Sequence, residues 1–198
     1  MPNPFIRYII NNRIIERIQI EEEFSQLIAA MRSAGVKKVL EIGFWHGGTA
    51  MGFDEVISEG EITSIDKWAI SDDYADFLQK NKAFRNDFRY ISGHSNSEDT
   101  IKEAWKRAPF DMLFIDGDHT ADAVLQDYRN YSPMVKPDGM IVFRDIRLLT
   151  DAQTKQEGVA PAYSEIAKSQ NHIEIVYPYP DYLPYKEGFG IGIIYQPL

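Results

Sequence analysis

The sequence predicts an α/β protein with a mainly parallel sheet and helices on both faces. Segments with strand and helix character alternate along most of its 198 residues. Crossover connections of that kind are right-handed and yield parallel strands covered on both sides. The runs Leu113-Phe114-Ile115 and Ile141-Val142-Phe143 are continuously apolar, as strands buried on both faces must be, and so belong at the sheet centre. With 44% hydrophobic residues, a chain of this length suits one domain with its own core.

The elements follow in order. Phe5 to Ile20 mixes isoleucine with asparagine and arginine, and Glu21 to Met31 places Phe24, Leu27, Ile28 and Met31 at helical spacing. Gly35 stops that helix, so residues 1–34 form an N-terminal helical segment ahead of a domain spanning 35–198. Val36 to Ile42 reads as a strand running into Gly43, Thr49 to Ile57 as a helix and Glu61 to Ile65 as the next strand. The alternation continues with helix Asp73–Phe84, strand Phe88–Ile91, helix Glu98–Lys106, strand Met112–Ile115, helix Ala121–Tyr131 and strand Met140–Phe143. A polar stretch to Glu157, a helix Pro161–Ser169 and strands Ile173–Tyr177 and Phe189–Tyr195 close the chain in a hairpin-like end.

Composition excludes several classes of function. There is no cysteine, hence no disulfide, thiolate metal site or cysteine nucleophile. A net charge of −9 opposes gripping nucleic acid or anionic membrane through bulk charge. The apolar runs fall far short of the ~20 residues that span a bilayer, and the N-terminus lacks a signal peptide's apolar core. A cytoplasmic protein is expected.

Four stretches could carry chemistry. In Glu41-Ile42-Gly43-Phe44-Trp45-His46-Gly47-Gly48-Thr49 a glycine-rich turn joins the first sheet strand to a helix, where open parallel sheets bind ligands and a helix N-terminus offers N–H groups to an anion. Its Gly-x-x-x-Gly-Gly spacing departs from the dinucleotide fingerprint Gly-x-Gly-x-x-Gly. Asp66 ends the second strand, roughly 20 residues beyond the turn, where an acid accepts hydrogen bonds from ribose hydroxyls; the bland alternative is a solvated carboxylate opening a loop with Lys67. Trp68 either stacks near a base or plugs the core edge. Asp116, Asp118 and His119 cluster at the end of the fourth strand, and Asp145 follows the fifth. Adjacent central strands would bring Asp116 and Asp145 together, to bind a hard cation such as Mg²⁺ or to position a substrate hydroxyl. His119 suits proton removal, while Asp118 competes between catalysis and capping the helix near Thr120. His46 lies in the turn, His94 follows the third strand and His172 reads as a surface residue. The four histidines lack zinc-type spacing. Finally, Tyr177 to Tyr185 packs four tyrosines and three prolines into nine residues, either a substrate-facing lid or a stiff hairpin loop.

Val39-Leu40-Glu41-Ile42-Gly43 with Gly47-Gly48-Thr49, Asp66, Phe114-Ile115-Asp116-Gly117-Asp118-His119, and Lys136-Pro137-Asp138-Gly139 before Phe143-Arg144-Asp145-Ile146 together resemble a class I S-adenosylmethionine-dependent methyltransferase. The resemblance is closest to the small O-methyltransferase-like group that includes cephalosporin hydroxylase and macrolide sugar O-methyltransferase relatives, and covers about residues 21–198. It implies a Rossmann-like, seven-stranded, mainly parallel sheet with an antiparallel last strand. It also implies cofactor contacts from Glu41, Gly43, His46, Gly47, Asp66, Lys67, His94, Ser95 and Asp116, with His119 as base beside Asp116. In metal-dependent relatives, acids matching Asp116, Arg144 and Asp145 hold Mg²⁺. Arg144 departs from that pattern, reduces the ligand set to Asp116 and Asp145, with Asp118 as a further candidate, and argues against a metal, so that Mg²⁺ as a cofactor stays one of two open alternatives. Asp138 replaces the second glycine of the usual Pro-Gly-Gly turn.

The resemblance thus implies methyl transfer from S-adenosylmethionine to a small-molecule hydroxyl. An acidic chain with a tyrosine-rich loop suits a sugar or phenol better than nucleic acid, and the isoleucine-rich Phe5–Ile20 segment would cover a pocket or form a homodimer contact. Two other readings compete: a catalytically inactive S-adenosylmethionine-binding module, and a nicotinamide-dependent oxidoreductase, against which the missing Gly-x-Gly-x-x-Gly spacing counts.

Overall fold

A computed structural model of the chain describes residues 20–147, 158–177 and 189–197. Its elements, in order, are α1 (Glu21–Ser33), β1 (Lys38–Ile42), α2 (Gly48–Val56), β2 (Glu61–Asp66), α3 (Ala69–Lys80), β3 (Asp87–Ser92), α4 (Glu98–Trp105), β4 (Phe110–Ile115), α5 (Ala121–Tyr131), β5 (Val135–Arg147), α6 (Val159–Ala167), β6 (His172–Ile175) and β7 (Phe189–Tyr195). One seven-stranded sheet runs in the order β3-β2-β1-β4-β5-β7-β6. β1 to β5 pair in parallel, and β7 runs antiparallel between β5 and β6. The expected parallel sheet with an antiparallel last strand is therefore present, and the expected terminal hairpin is β6 with β7.

Alternation of side chains along each strand divides the core into two layers. Val39, Met112, Phe114, Val142 and Ile193 face α1, α2 and α3. Leu40, Leu113, Ile115, Ile141, Phe143 and Ile194 face α4, α5 and α6. Leu113–Ile115 of β4 and Ile141–Phe143 of β5 are buried on both faces, which is why they read as unbroken apolar runs, whereas edge strand β3 alternates in burial. α1 joins the first layer through Phe24, Leu27 and Met31, and Phe24 stacks on Phe53 of α2 at 5.7 Å. Glu23, also buried, accepts the backbone N–H groups of Tyr177 and Gly190, both at 2.9 Å, and so ties α1 to the ends of β6 and β7.

Two elements differ from expectation. α3 spans Ala69–Lys80 rather than Asp73–Phe84, because its N-cap, Trp68, has no side-chain oxygen to mark the start. Lys136-Pro137-Asp138-Gly139, expected as a turn, lies within a 13-residue β5. Asp138 takes a left-handed φ of 59° there, and Gln196 beyond β7 bonds the backbone at both Asp138 and Gly139. The isoleucine-rich segment up to residue 19, the polar stretch 148–157 and the tyrosine-proline loop 178–188 lie outside the described residues. Among the described residues no helix is long and apolar enough to cross a membrane.

Candidate active site

Strand order reverses between β1 and β4, since the chain crosses from β1 to β2 on one side and returns to β4 on the other. In such sheets a cleft opens beyond the carboxyl ends of the strands. A cavity of about 390 Å³ occupies that position, walled by residues 43–45, 66–68, 93–95 and 116–119 from four successive loops and by Arg144 from β5.

One half of the wall is built from backbone. Gly43 has φ +95°, and a Cβ there would lie 2.0 Å from the Asp116 carbonyl oxygen. Only glycine lets β1 turn this close to β4. Asp66 then fixes the turn: its Oδ2 accepts the N–H groups of Phe44 and Trp45 at 2.9 and 2.8 Å, and Oδ1 accepts that of Trp68 at 3.0 Å. Three of the roughly four acceptor positions of a carboxylate are thereby used by the protein's own main chain. Trp45 and Trp68 stand at the wall with their rings largely exposed, so Trp68 does not plug the core. Lys67 Nζ reaches to 3.8 Å from Asp118 Oδ2, joining the β2 and β4 loops.

Of the predicted cofactor residues, Gly43, Asp66, Lys67, His94, Ser95 and Asp116 line the cavity. Glu41, His46 and Gly47 do not form its wall. Glu41 is fully buried and accepts a 2.6 Å hydrogen bond from Ser64 Oγ; burial pushes its carboxyl well above the usual carboxylate range, against the Ser64 bond. His46 stacks between Trp45 and Tyr74, at 4.8 and 4.2 Å. Gly47 is the left-handed N-cap of α2, packed against the Phe44 ring.

The other half is built from charged side chains. Asp116 Oδ1 lies 3.4 Å from His119 Nε2 and 3.1 Å from Arg144 Nη1. The same Nη1 lies 3.1 Å from Asp145 Oδ2, which is 3.8 Å from His119 Nδ1. Consecutive strand residues ordinarily point to opposite faces, yet Arg144 and Asp145 meet. A left-handed φ of 60° at Asp145 and a register shift between Arg144 and Arg147 bring them together, the kind of backbone irregularity that clusters at functional sites. Burial would raise Asp116, but the Arg144 charge and His119 outweigh it and hold the carboxyl below its ordinary value. Burial would lower His119, but its hydrogen bond to Asp116 and the charges of Asp116 and Asp145 push it up to about 9.

Asp118 settles its own alternatives in part. Thr120 is the N-cap of α5, while Asp118 Oδ1 accepts the Thr120 N–H at 3.0 Å and so shapes the turn before the helix. Asp127 was not anticipated. It is buried on α5 beside Ser95 and 3.7 Å from where a Gly117 Cβ would be, and burial raises it to about 6. The signal was present, since Val124, Asp127 and Tyr131 share one buried stripe of the helix.

Asp116, His119 and Asp145 offer ligand atoms within 4.8 Å of one another, yet they do not fit a divalent cation. Mg²⁺ would need oxygens at 2.0–2.1 Å, and a guanidinium, which has no acceptor atom and stays protonated, already contacts both carboxylates.

Comparison with known proteins agrees with this geometry. A family model described as a methyltransferase domain matches residues 40–146. The uncharacterized protein y4gI of Sinorhizobium fredii is 22% identical over 175 residues, covering 83% of this chain but only 18% of that protein. Among solved structures, a proposed caffeoyl-CoA O-methyltransferase of Staphylococcus aureus superposes with a TM-score of 0.75 at 16% identity, covering 98% of this chain and 91% of that one. The O-methyltransferase TomG of Streptomyces achromogenes, in complex with SAM, gives 0.68 at 14% identity over 100% and 92%. The N-methyltransferase NodS of Bradyrhizobium japonicum, with S-adenosyl-L-homocysteine, gives 0.67 at 16% identity over 90% and 87%. At these identities the solved structures establish the fold.

Proposed function

Because the chain belongs to the methyltransferase-domain family, whose model spans β1 to β5, we propose that it transfers a methyl group from S-adenosylmethionine to a hydroxyl of a small molecule, a sugar or a phenol. The observation that carries this reading is a single cavity walled both by a backbone cradle fixed by Asp66 and by the Asp116–His119 pair.

The residues suit that cofactor. Bare backbone at Gly43 gives close approach, Asp66 keeps about one acceptor position toward a ribose hydroxyl, and His94 with Ser95 lies on the wall where an adenine would rest. Asp116 places negative charge beside the reacting end, which favours a sulfonium cation. When bound, the cofactor supplies an activated methyl group, so the chain contributes positioning and proton removal. His119 is the group placed to take the hydroxyl proton. Held near 9 by Asp116 and Asp145, with Arg144 opposing, its ring nitrogens become available as pH rises, so turnover should climb toward pH 9.

Titration calorimetry with S-adenosylmethionine and S-adenosylhomocysteine, followed by an acceptor screen read as S-adenosylhomocysteine release, tests the proposal. Saturable binding with methylation of a hydroxylated acceptor supports it. Absent binding would refute the cofactor, and binding without turnover on any hydroxyl or amine would favour an inactive binding module. Alongside the TomG likeness, the likeness to NodS is the reason to include amines in that screen.

A further inference from the structure

Two buried carboxylates at the end of a cavity demand positive charge, and β5 supplies it from within. Asp145 is almost fully buried, Asp116 and the Arg144 side chain are each only 13% exposed, and one nitrogen, Nη1, stands 3.1 Å from both acids. A salt bridge so enclosed is stable only where geometry and further hydrogen bonds compensate for desolvation. Here the left-handed Asp145 and the register shift beside it present Arg144 and Asp145 together, and pairing of Arg144 with Ile191 of β7 fixes the strand on its far side.

We infer that Arg144 is the resident cation of this site, standing where a divalent ion would bridge Asp116 and Asp145, so that the cavity works without a metal. The inference rests on the methyl-transfer reading for what the site does, but not for what occupies it. A metal ion would have to form short bonds to the same oxygens that the guanidinium holds, by a hydrogen bond at Asp116 Oδ1 and as an ion pair at Asp145 Oδ2, and it would meet a charge that no accessible pH removes. Arg144 is therefore a positioning residue: it holds the two acids at a fixed separation, and through Asp116 it sets the place of His119.

Mn²⁺, followed by its electron paramagnetic resonance signal, is the probe. The wild-type protein should leave millimolar Mn²⁺ free, whereas Arg144→Asp should bind one Mn²⁺ and lose it again when Asp116→Asn is added. One Mn²⁺ on the wild-type protein, abolished by Asp116→Asn alone, would overturn the inference. So would a folded Arg144→Asp protein that binds none. If that variant fails to fold, the wild-type and Asp116→Asn titrations still decide. Calorimetry with S-adenosylmethionine on the wild-type protein separates the two claims, because absent cofactor binding there would sink the methyl-transfer reading while leaving the metal result intact.

Discussion

Around Asp66 the cavity wall is held by main-chain amides, whereas around Asp116 it is held by charged side chains. In the first region one carboxylate organises three backbone N–H groups and a glycine admits the close turn. In the second, two acids, a guanidinium and an imidazole hold one another. A backbone-built wall keeps its shape when neighbouring side chains vary, so it suits a constant ligand. A side-chain wall changes with each substitution, which suits the part of the reaction that differs between relatives.

The contrast can be tested by disturbing one region and reading the other. His119→Ala should lower turnover by roughly 10²- to 10⁴-fold while cofactor affinity, measured by calorimetry, stays within a factor of a few. A matching loss of affinity would show that the two regions are not separable. The raised His119 value adds a pH signature: its stabilising contribution is fully present below 6.5 and is lost as pH rises through about 9, so denaturation midpoints should fall across that window and the variant should fall less. Arg144→Met leaves two buried acids with the His119 imidazolium but not the guanidinium to balance them and should cost about 3–5 kcal/mol in urea unfolding.

Asp127 lies at the seam, beside Ser95 of one region and Gly117 of the other. Its carboxyl holds a proton in the folded state between 3.8 and about 6, so wild-type stability should drop as pH rises through that interval. Asp127→Asn should remove the drop, a difference of about 3 kcal/mol by pH 7. Asp66→Ala strips three amides of their acceptor and should cost about 1–3 kcal/mol together with cofactor affinity. Normal affinity there would remove Asp66 from the cradle. Lys67→Ala breaks a half-exposed 3.8 Å pair with Asp118 and should change stability by less than about 1 kcal/mol.

The same division governs how much could be read in advance. The backbone cradle was legible because glycine spacing and an acid at a strand end are positional signals. α5 was placed at both ends, Ala121 and Tyr131, helped by Thr120 at its start. α3 was misplaced because Trp68 carries no capping oxygen. Asp116, His119 and Asp145 were foreseen as neighbours from strand adjacency. Arg144, by contrast, could be read only as a misfit: a strand's alternation puts residues 144 and 145 on opposite faces, and the local backbone irregularity that reunites them leaves no mark in residue type. Glu41 is expected as a ligand contact from the family resemblance and His46 from its place in the turn; which way each side chain packs depends on Ser64 and Tyr74, distant partners that a linear pattern does not reveal.

The Glu23 clasp bears on how the protein is made. Its two hydrogen bonds join residues 154 and 167 positions apart in the chain. During synthesis, at about 5–20 residues per second, α1 leaves the ribosome long before Tyr177 and Gly190 exist to receive its carboxylate. The first described helix is thus completed by the last strand, and β7 must insert between β5 and β6 before either end is secure. Until then Glu23 lacks the two backbone donors that its burial in the finished fold relies on.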